Sequence, residues 1–118
     1  MIQINKSFRD DDLPDAEPSF LPGAIVRHRR YGYRGVVVSA DGHCAADPKW
    51  YMSNKTQPDR EQPWYHVLVH ESNGVTYAAE SSLTSDESEM PIEHPLVAIF
   101  FNGIESGSYI RNDPVWPG

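Results

Sequence analysis

The sequence predicts a mostly β protein, a small and highly bent β-barrel, and three observations support that prediction. Short β-branched runs are separated by turn residues, two pairs of these runs are typical of hairpins, and no long amphipathic helix pattern occurs. The 118 residues, 39% of them hydrophobic and 23% charged, fit one domain with a modest core. Because a barrel removes exposed sheet edges by closing on itself, we expect closure here.

Each predicted hairpin consists of two apolar runs around a turn. The first is GAIVRH and RGVVVSA around Tyr31-Gly32, with strands near 24–30 and 34–40. The second is PWYHVLVHE and VTYAAE around SNG, with strands near 64–71 and 75–80, and LVAIFF supplies a further buried segment. Alternation selects the residues expected to be mainly buried, which are Ile25, Val36, Val38, Tyr65, Val67, Val69 and Leu83.

Three segments are expected to lie outside the strands. Residues 1–20 are acidic and interrupted by prolines, so they are expected to form a flexible acidic arm before a barrel domain at 21–118. In the long excursion between the hairpins, Asp47 as N-cap and Pro48 at the first position predict a short helix at KWYMSN. The run SSLTSDESEMPIEHP is expected to cross the surface as a loop.

Positive charge is concentrated in the first hairpin of an acidic chain. The formal net charge is −7, and residues 63–94 carry six acidic residues and no Lys or Arg. Residues 23–39 carry no acid and four arginines, namely Arg27, Arg29, Arg30 and Arg34. Such a segment suits an anionic partner. The alternative is that its arginines pair with the protein's own carboxylates, with Glu80 the first candidate partner for an inward-facing position.

Aromatic residues accompany the basic hairpin. They are Tyr31, Tyr33, Trp50, Tyr51, Trp64 and Tyr65. Such rings can stack on bases, form a recognition groove or belong to the core. We expect Tyr65 and at least one tryptophan to be buried, and Tyr31 and Tyr33 to be the exposed pair. The candidate residues for binding nucleic acid or another partner are therefore Arg27, His28, Arg29, Arg30, Tyr31, Tyr33 and Arg34.

Catalytic signatures are mostly absent from the sequence. The glycines of the first hairpin lack the full pattern and the lysine of a phosphate-binding loop. His66 and His70 share a strand face with Leu68 between them, a poor geometry for one metal ion, and no second cysteine accompanies Cys44. We expect no catalytic residue, no metal and no cofactor, and Cys44 to be a small apolar anchor. An enzyme acting through Cys44 and a histidine is a minor alternative, which a Cys44→Ala variant that loses no activity would remove.

The sequence also predicts where the protein resides. A single cysteine cannot form an internal disulfide, which suits a reducing cytoplasm. The start MIQINKSFRDDD lacks the apolar run of a signal peptide, and the apolar stretch from Leu96 to Phe101 is too short to cross a bilayer. A soluble cytoplasmic protein is expected.

Four stretches together carry a family resemblance: VRHRRYGYRGVVVSAD, QPDREQPWYHVLV, TYAAESSL and HPLV. They resemble the YccV-like domain, the family of heat-shock protein HspQ, which is named for binding hemimethylated DNA. The resemblance covers about residues 20–111, and its most specific blocks are Arg27-His28, Gly32-Tyr33, Gly35-Val36-Val37 and Pro63-Trp64-Tyr65-His66-Val67. It implies an SH3-like β-barrel and a non-enzymatic role.

The resemblance implies two classes of partner. One is hemimethylated DNA, and the other is an ATP-dependent protease of the Lon type or its substrates, for which the chain would be an adaptor or specificity enhancer. Four arginines can neutralise at most about four phosphates, so a monomer would bind DNA weakly and a homo-oligomer would multiply the patch. The excursion at 47–62 and the ending HPLVAIFFNGIESGSYIR look closer to the version in other bacteria and in certain eukaryotic F-box proteins.

Overall fold

The computed structural model describes residues 17–117, and in that range the chain forms seven strands and two short α-helices, which confirms the mostly β prediction. The elements are β1 (Ile25–His28), β2 (Arg34–Asp41), α1 (Pro48–Ser53), β3 (Trp64–Val69), β4 (Val75–Ala79), β5 (Leu83–Ser85), α2 (Val97–Phe100), β6 (Phe101–Glu105) and β7 (Ser108–Arg111). A 3-10 turn at Glu80–Ser82 joins β4 to β5.

The two predicted hairpins are confirmed. Strands β1 and β2 pair antiparallel with Ile25 opposite Val36, and β3 and β4 pair with Leu68 opposite Val75. The short helix at KWYMSN is also confirmed, because the Asp47 side chain accepts a hydrogen bond from the Trp50 amide.

Two predictions about irregular segments are wrong in part. The run expected to be a surface loop contains β5, which pairs with β1 and places Leu83 opposite His28. LVAIFF contributes α2 and the first residue of β6 instead of one buried segment, and Ile99 is exposed. Both elements depend on partners elsewhere in the fold, which a local pattern does not specify.

The expectation of a closed barrel is wrong. The five-stranded sheet has the order β4-β3-β2-β1-β5, so β4 and β5 are its two edges, and the result is a bent, barrel-like sheet. The 3-10 turn brings the two edges to one corner, but β5 has three residues and uses them to pair with β1. Strands β6 and β7 form a separate two-stranded sheet.

Both faces of the five-stranded sheet are buried. Inside the bend lie Val26, Val37, Tyr65, Val67, Ala78 and Leu83. Against the second sheet and α2 lie Ile25, Val36, Val38, Leu68, Ile92, Phe100, Phe101 and Tyr109. Six of the seven predicted core residues are buried, and Val69 is the exception, half-buried at the last position of β3. Trp64 is buried as well, as the prediction of one buried tryptophan required.

Gly23 joins the two sheets. Its amide donates to the carbonyl of Val37, and its carbonyl accepts from the amide of Tyr109 (2.8 Å). The residue has φ +103°, and a Cβ atom there would lie 2.0 Å from the Tyr109 carbonyl oxygen. Only glycine meets both conditions, because it tolerates positive φ and leaves room for the neighbouring backbone.

Residues 1–16 of the predicted acidic arm lie outside the described residues, so its flexibility stays a prediction. The next residues contact the domain: the amide of Ser19 donates to Glu80 (2.9 Å), and Phe20 packs edge-on against Tyr65. Within residues 17–117, no helix has the length and apolar character needed to cross a membrane.

Candidate functional site

The turn of the first hairpin is built around His28. Its Nδ1 accepts hydrogen bonds from the amides of Arg30 (3.1 Å) and Tyr31 (3.0 Å), and Gly32 completes the turn at φ +77°. The imidazole ring lies between the rings of Tyr31 and Tyr33, with centroids 4.7 and 5.0 Å away. Burial, and then the charge of Arg30, hold the pKa of His28 below its ordinary value. The predicted binding residue His28 is thus a buried, neutral support of the turn.

Two of the four arginines are paired with a carboxylate of the protein itself. Arg34 donates to Asp86 through Nε (2.7 Å), and Arg27 donates to the other carboxylate oxygen (3.3 Å). The side chain of Asp86 is 4% exposed, and this burial opposes its ionisation. The hydroxyl of Ser88 and the guanidinium of Arg34 stabilise the carboxylate more strongly, so the pKa of Asp86 is lowered. Of the two interpretations of the basic hairpin, pairing with the protein's own carboxylates therefore applies to Arg27 and Arg34, with Asp86 as the partner.

Glu80, the acid proposed as an internal partner for an arginine, has a different role. It accepts hydrogen bonds from the Ser19 amide and from the hydroxyl of Tyr65 (2.6 Å). Burial and this hydrogen bond raise the pKa of Tyr65 to about 12. Glu80 therefore anchors the segment that enters the domain and does not neutralise the hairpin.

The remaining charge of the hairpin lies at its tip, where Arg29, Arg30 and Tyr31 are exposed. The Nε of Arg29 donates to the carbonyl of Leu83 (3.1 Å), which holds the base of the guanidinium, and its other two nitrogens make no hydrogen bond to residues 17–117. Arg30 lies 5.8 Å over the Tyr31 ring, and within residues 17–117 neither arginine has a carboxylate partner. These three side chains, here called the hairpin tip, are the exposed members of the predicted set that make no ion pair within residues 17–117; Arg27 is exposed as well, but it pairs with Asp86.

Tyr33, expected to be exposed with Tyr31, is half-buried. Its hydroxyl shares a hydrogen bond with the hydroxyl of Thr76 on β4 (2.7 Å). Burial, more than any other influence, raises the pKa of this phenol. The side chain therefore links the hairpin to β4.

An open groove of about 490 Å³ begins beside the hairpin tip and follows β4; we call it the aromatic groove. Its aromatic lining consists of His28, Tyr31, Tyr33, Trp50, Tyr51, Trp64 and Tyr77. Its other lining residues are Asn54, Lys55, Thr56, Pro58, Val75, Thr76, Ala78, Ala79 and Ser82. Five of the six aromatic residues singled out in the sequence line this groove, and the sixth, Tyr65, lies in the core.

Helix α1 holds the far side of the groove in place. Trp50 contacts the rings of Trp64 (6.3 Å) and Tyr77 (5.8 Å) edge-on. The hydroxyl of Tyr77 donates to Asp41 (2.6 Å), and burial together with this bond raises the pKa of the phenol. Arg60 lies 4.8 Å over the ring of Tyr51. These contacts give the groove walls a defined shape.

The arrangement offers little for catalysis. Among residues 17–117, no three His, Cys, Asp or Glu side chains are grouped so that they could hold a metal ion. Cys44 is buried beside Trp64 and Ala79, as expected of an apolar anchor. A smaller hollow of about 270 Å³, which shares Trp50 and Tyr77 with the groove, is lined by His66, whose Nδ1 has no partner among the described residues. Burial lowers the pKa of His66, so the imidazole is neutral.

Sequence reasoning missed Asp86 and Thr76. Asp86 lies in the acidic run SDESE. Because internal ion pairs were one of the two interpretations of the basic hairpin, this acidic run was the signal that could have identified Asp86 as a partner of its arginines. Thr76 carries no chemical signature in the sequence. Its position opposite Tyr33 follows only from the sheet order.

Comparisons with known proteins identify the family of the chain. The family described as hemimethylated DNA-binding protein YccV like matches residues 18–108. F-box only protein 21 of Pongo abelii and of Homo sapiens are each 34% identical to the chain over 93 residues, and the Mus musculus protein is 33% identical. Each alignment covers 76% of this chain and 15% of the relative, so the chain spans a small part of those proteins. The family match covers most of the chain and the whole five-stranded sheet, and the chain therefore belongs to the YccV-like family.

Proposed function

We propose that this chain is a non-enzymatic binding module that contacts duplex DNA through the hairpin tip. One observation carries the proposal: Arg29 and Arg30 are exposed at the turn without a carboxylate partner among the described residues, and Arg30 lies over the exposed ring of Tyr31. Arginines contact phosphate oxygens, and a neighbouring ring adds stacking or cation–π contacts. The description of the family supports a DNA partner.

The electrostatic footprint is small. Arg34 is held by Asp86, and Arg27 is half-exposed but shares the same carboxylate, so two or three arginines remain to meet phosphates. Each neutralised phosphate contributes about −0.9 to the slope of log affinity against log salt, so a monomer should show a slope of about −2 to −3. The sequence suggested an upper limit of four phosphates, and the ion pair of Arg34 lowers that limit to three.

The test is a charge reversal at the tip. Binding of the full chain to one duplex, in unmethylated, hemimethylated and fully methylated forms, is measured by fluorescence anisotropy over a range of salt concentrations. Arg29→Glu/Arg30→Glu should abolish binding and preserve the circular dichroism spectrum. Lys49→Glu/Lys55→Glu is the matched control, because it changes the net charge equally and leaves the hairpin intact.

Three results bear on the proposal. Loss of binding in the arginine variant alone supports it, and a preference for the hemimethylated duplex would extend it to methylation sensing. Equal losses in both variants would assign the effect to the overall field of the protein. Binding that survives the arginine reversal in a folded protein would show that the hairpin tip is not the DNA site.

A second candidate function is binding to a protein partner, such as an ATP-dependent protease or its substrates, as an adaptor. The aromatic groove favours it, because rings that line an open concave surface suit side chains of another polypeptide. Retention of the full chain on an immobilised Lon-type protease, compared between the wild type and a Trp50→Ala variant, tests this candidate. Equal retention of both proteins would count against the groove.

A further inference from the structure

Strand β4 is an open edge of the five-stranded sheet. The amide of Val69 donates to the carbonyl of Gly74 (3.1 Å), and the amide of Glu80 donates to that of Pro63 (2.9 Å). In an antiparallel pair these contacts alternate, so residues 74, 76, 78 and 80 exchange hydrogen bonds with β3. The N–H and C=O groups of Val75 and Tyr77 consequently point away from the sheet, and no turn, loop or side-chain hydrogen bond within residues 17–117 uses them.

This edge lacks the usual protection against pairing. Natural edge strands are blunted by charged residues, proline, bulges or very short length. Strand β4 reads VTYAA, with no charge and no proline, and pairs with β3 in one uninterrupted register. The opposite edge, β5, has three residues and is followed at once by the buried Asp86. In the described part of the chain the two edges are therefore unequal, and β4 is the more open to pairing.

The aromatic groove encloses this edge from both faces of the sheet. Tyr33 bonds to Thr76 and lies, with Tyr31, on one face; we call these the hairpin wall. Side chains alternate along a strand, so Tyr77 projects to the other face, where its ring meets Trp50; we call these the helix wall. An added strand would lie between two walls that receive its alternate side chains.

We propose that the aromatic groove binds an extended segment of a partner polypeptide, which pairs with β4 as a sixth strand and places alternate apolar side chains against the hairpin wall and the helix wall. The proposal rests on the second candidate function; the groove shares Tyr31 with the hairpin tip, but Arg29 and Arg30 do not line it. Main-chain hydrogen bonds to Val75 and Tyr77 would supply affinity, and the two walls would supply selectivity.

The lining of the groove identifies the occupant as a peptide of neutral or acidic character. Among the described residues that line it, Lys55 is the one ionisable cation besides the neutral His28, and none carries a carboxylate. A nucleic acid strand lacks the alternating amide and carbonyl groups that complete a β-ladder, and one lysine is a small counter-charge for its phosphates. Peptide backbone fits the unused groups on β4, and an acidic side chain fits Lys55.

A single substitution separates backbone pairing from side-chain contact. Val75 is the first residue of β4, a position where proline is tolerated, and its N–H does not bond to β3. Val75→Pro therefore removes one outward donor while the ladder with β3 stays intact. Val75→Thr is the matched control, because it retains the N–H and a β-branched side chain.

The experiment starts from a phage-displayed library of random peptides about ten residues long, panned against the full chain, with enriched peptides then synthesised. We expect affinities in the micromolar range, at least about tenfold weaker for Val75→Pro and within about threefold of wild type for Val75→Thr. Hydrogen exchange by NMR on the wild-type protein should show the amides of Val75 and Tyr77 protected by the peptide. Val75→Pro should leave affinity for duplex DNA unchanged, which separates this proposal from the one for the hairpin tip.

Several outcomes would overturn the proposal. Peptides that bind Val75→Pro and wild type equally, or that protect amides elsewhere, would exclude pairing with β4. Protection of Val75 and Tyr77 by duplex DNA would assign the groove to nucleic acid. Self-association that protects the same amides without peptide would make a second copy of the chain the occupant. A library that yields no binder to a folded protein would exclude a peptide site of useful affinity.

Discussion

The first hairpin and the aromatic groove are neighbours, but they differ in how far their polar groups have partners within the protein. In the hairpin, Asp86 binds Arg27 and Arg34, and His28 accepts two amides of the turn. In the groove, no hydrogen bond from the part of the chain that the structure describes uses the outward backbone groups of Val75 and Tyr77. The difference teaches that clustered charge in a sequence is a poor guide to free charge on the surface. Capacity for binding lies where the fold leaves groups without partners.

The strongest test of this comparison is removal of Asp86. Because Asp86→Ala leaves Arg34 largely buried without its counter-charge, we expect a loss of about 2–4 kcal/mol in the free energy of unfolding, measured with urea. Glu87→Gln, at an exposed neighbouring carboxylate, should change it by less than about 0.5 kcal/mol. Similar small effects for both variants would mean that the ion pairs of the hairpin are dispensable for folding.

Lowering the pH should weaken the ion pairs of Asp86. The folded state lowers the pKa of Asp86, so its contribution is present above the unfolded-state value of about 3.9 and is lost as pH falls through the lower folded value. Wild-type stability should therefore fall more steeply below about pH 4 than that of a folded Asp86→Asn variant.

Proline substitution at adjacent residues tests the register of the open edge. The amide of Thr76 faces β3, so Thr76→Pro should cost at least about 2 kcal/mol through a lost ladder bond and a lost contact with Tyr33. Val75→Pro should cost less than about 1 kcal/mol, because that amide points outward. Thermal unfolding of the two variants compares these losses of stability. A larger loss for Val75→Pro than for Thr76→Pro would show that the outward backbone groups are not those of Val75.

Titration of His28 tests whether the turn depends on a neutral imidazole. Its pKa is lowered in the folded state, so its contribution is complete above the unfolded-state value of about 6.5 and is lost as pH falls through the folded value. Protonation removes the Nδ1 acceptor used by two amides, at a cost of about 1 kcal/mol. NMR should show His28 titrating below 6.5. The variant His28→Asn keeps an acceptor oxygen and should therefore lose less stability than the wild type between about pH 7 and 5. A wild-type His28 pKa above that of a free histidine would contradict a turn that depends on the neutral imidazole.

The smallest effect is expected at the hairpin tip. Arg30 makes no side-chain hydrogen bond or ion pair within residues 17–117, so Arg30→Ala should change the free energy of unfolding by less than about 0.5 kcal/mol. Differential scanning calorimetry measures this directly, with Arg34→Ala as the buried counterpart. A loss as large as that of Arg34→Ala would show that the tip, too, belongs to the internal network.

Local chemistry was sufficient to predict much of the scaffold. Asp47 caps α1 and Pro48 begins it, since capping involves residues within one turn. The hairpins of β1–β2 and β3–β4 follow from alternating apolar runs on either side of short turns. These features depend on contacts between residues near one another in the chain, which a sequence displays directly.

The sequence by itself determined a mostly β domain, its two hairpins, most of its core and the concentration of arginine and aromatic residues at one place. Only the tertiary structure decided which of those arginines remain free, because the carboxylate that binds Arg27 and Arg34 lies 59 and 52 positions further along the chain. It likewise decided that the sheet stays open at β4, since strand order and the pairing of the three-residue β5 with β1 are long-range choices. Periodicity reports which face of a strand is buried; it does not report which neighbour, if any, completes its edge.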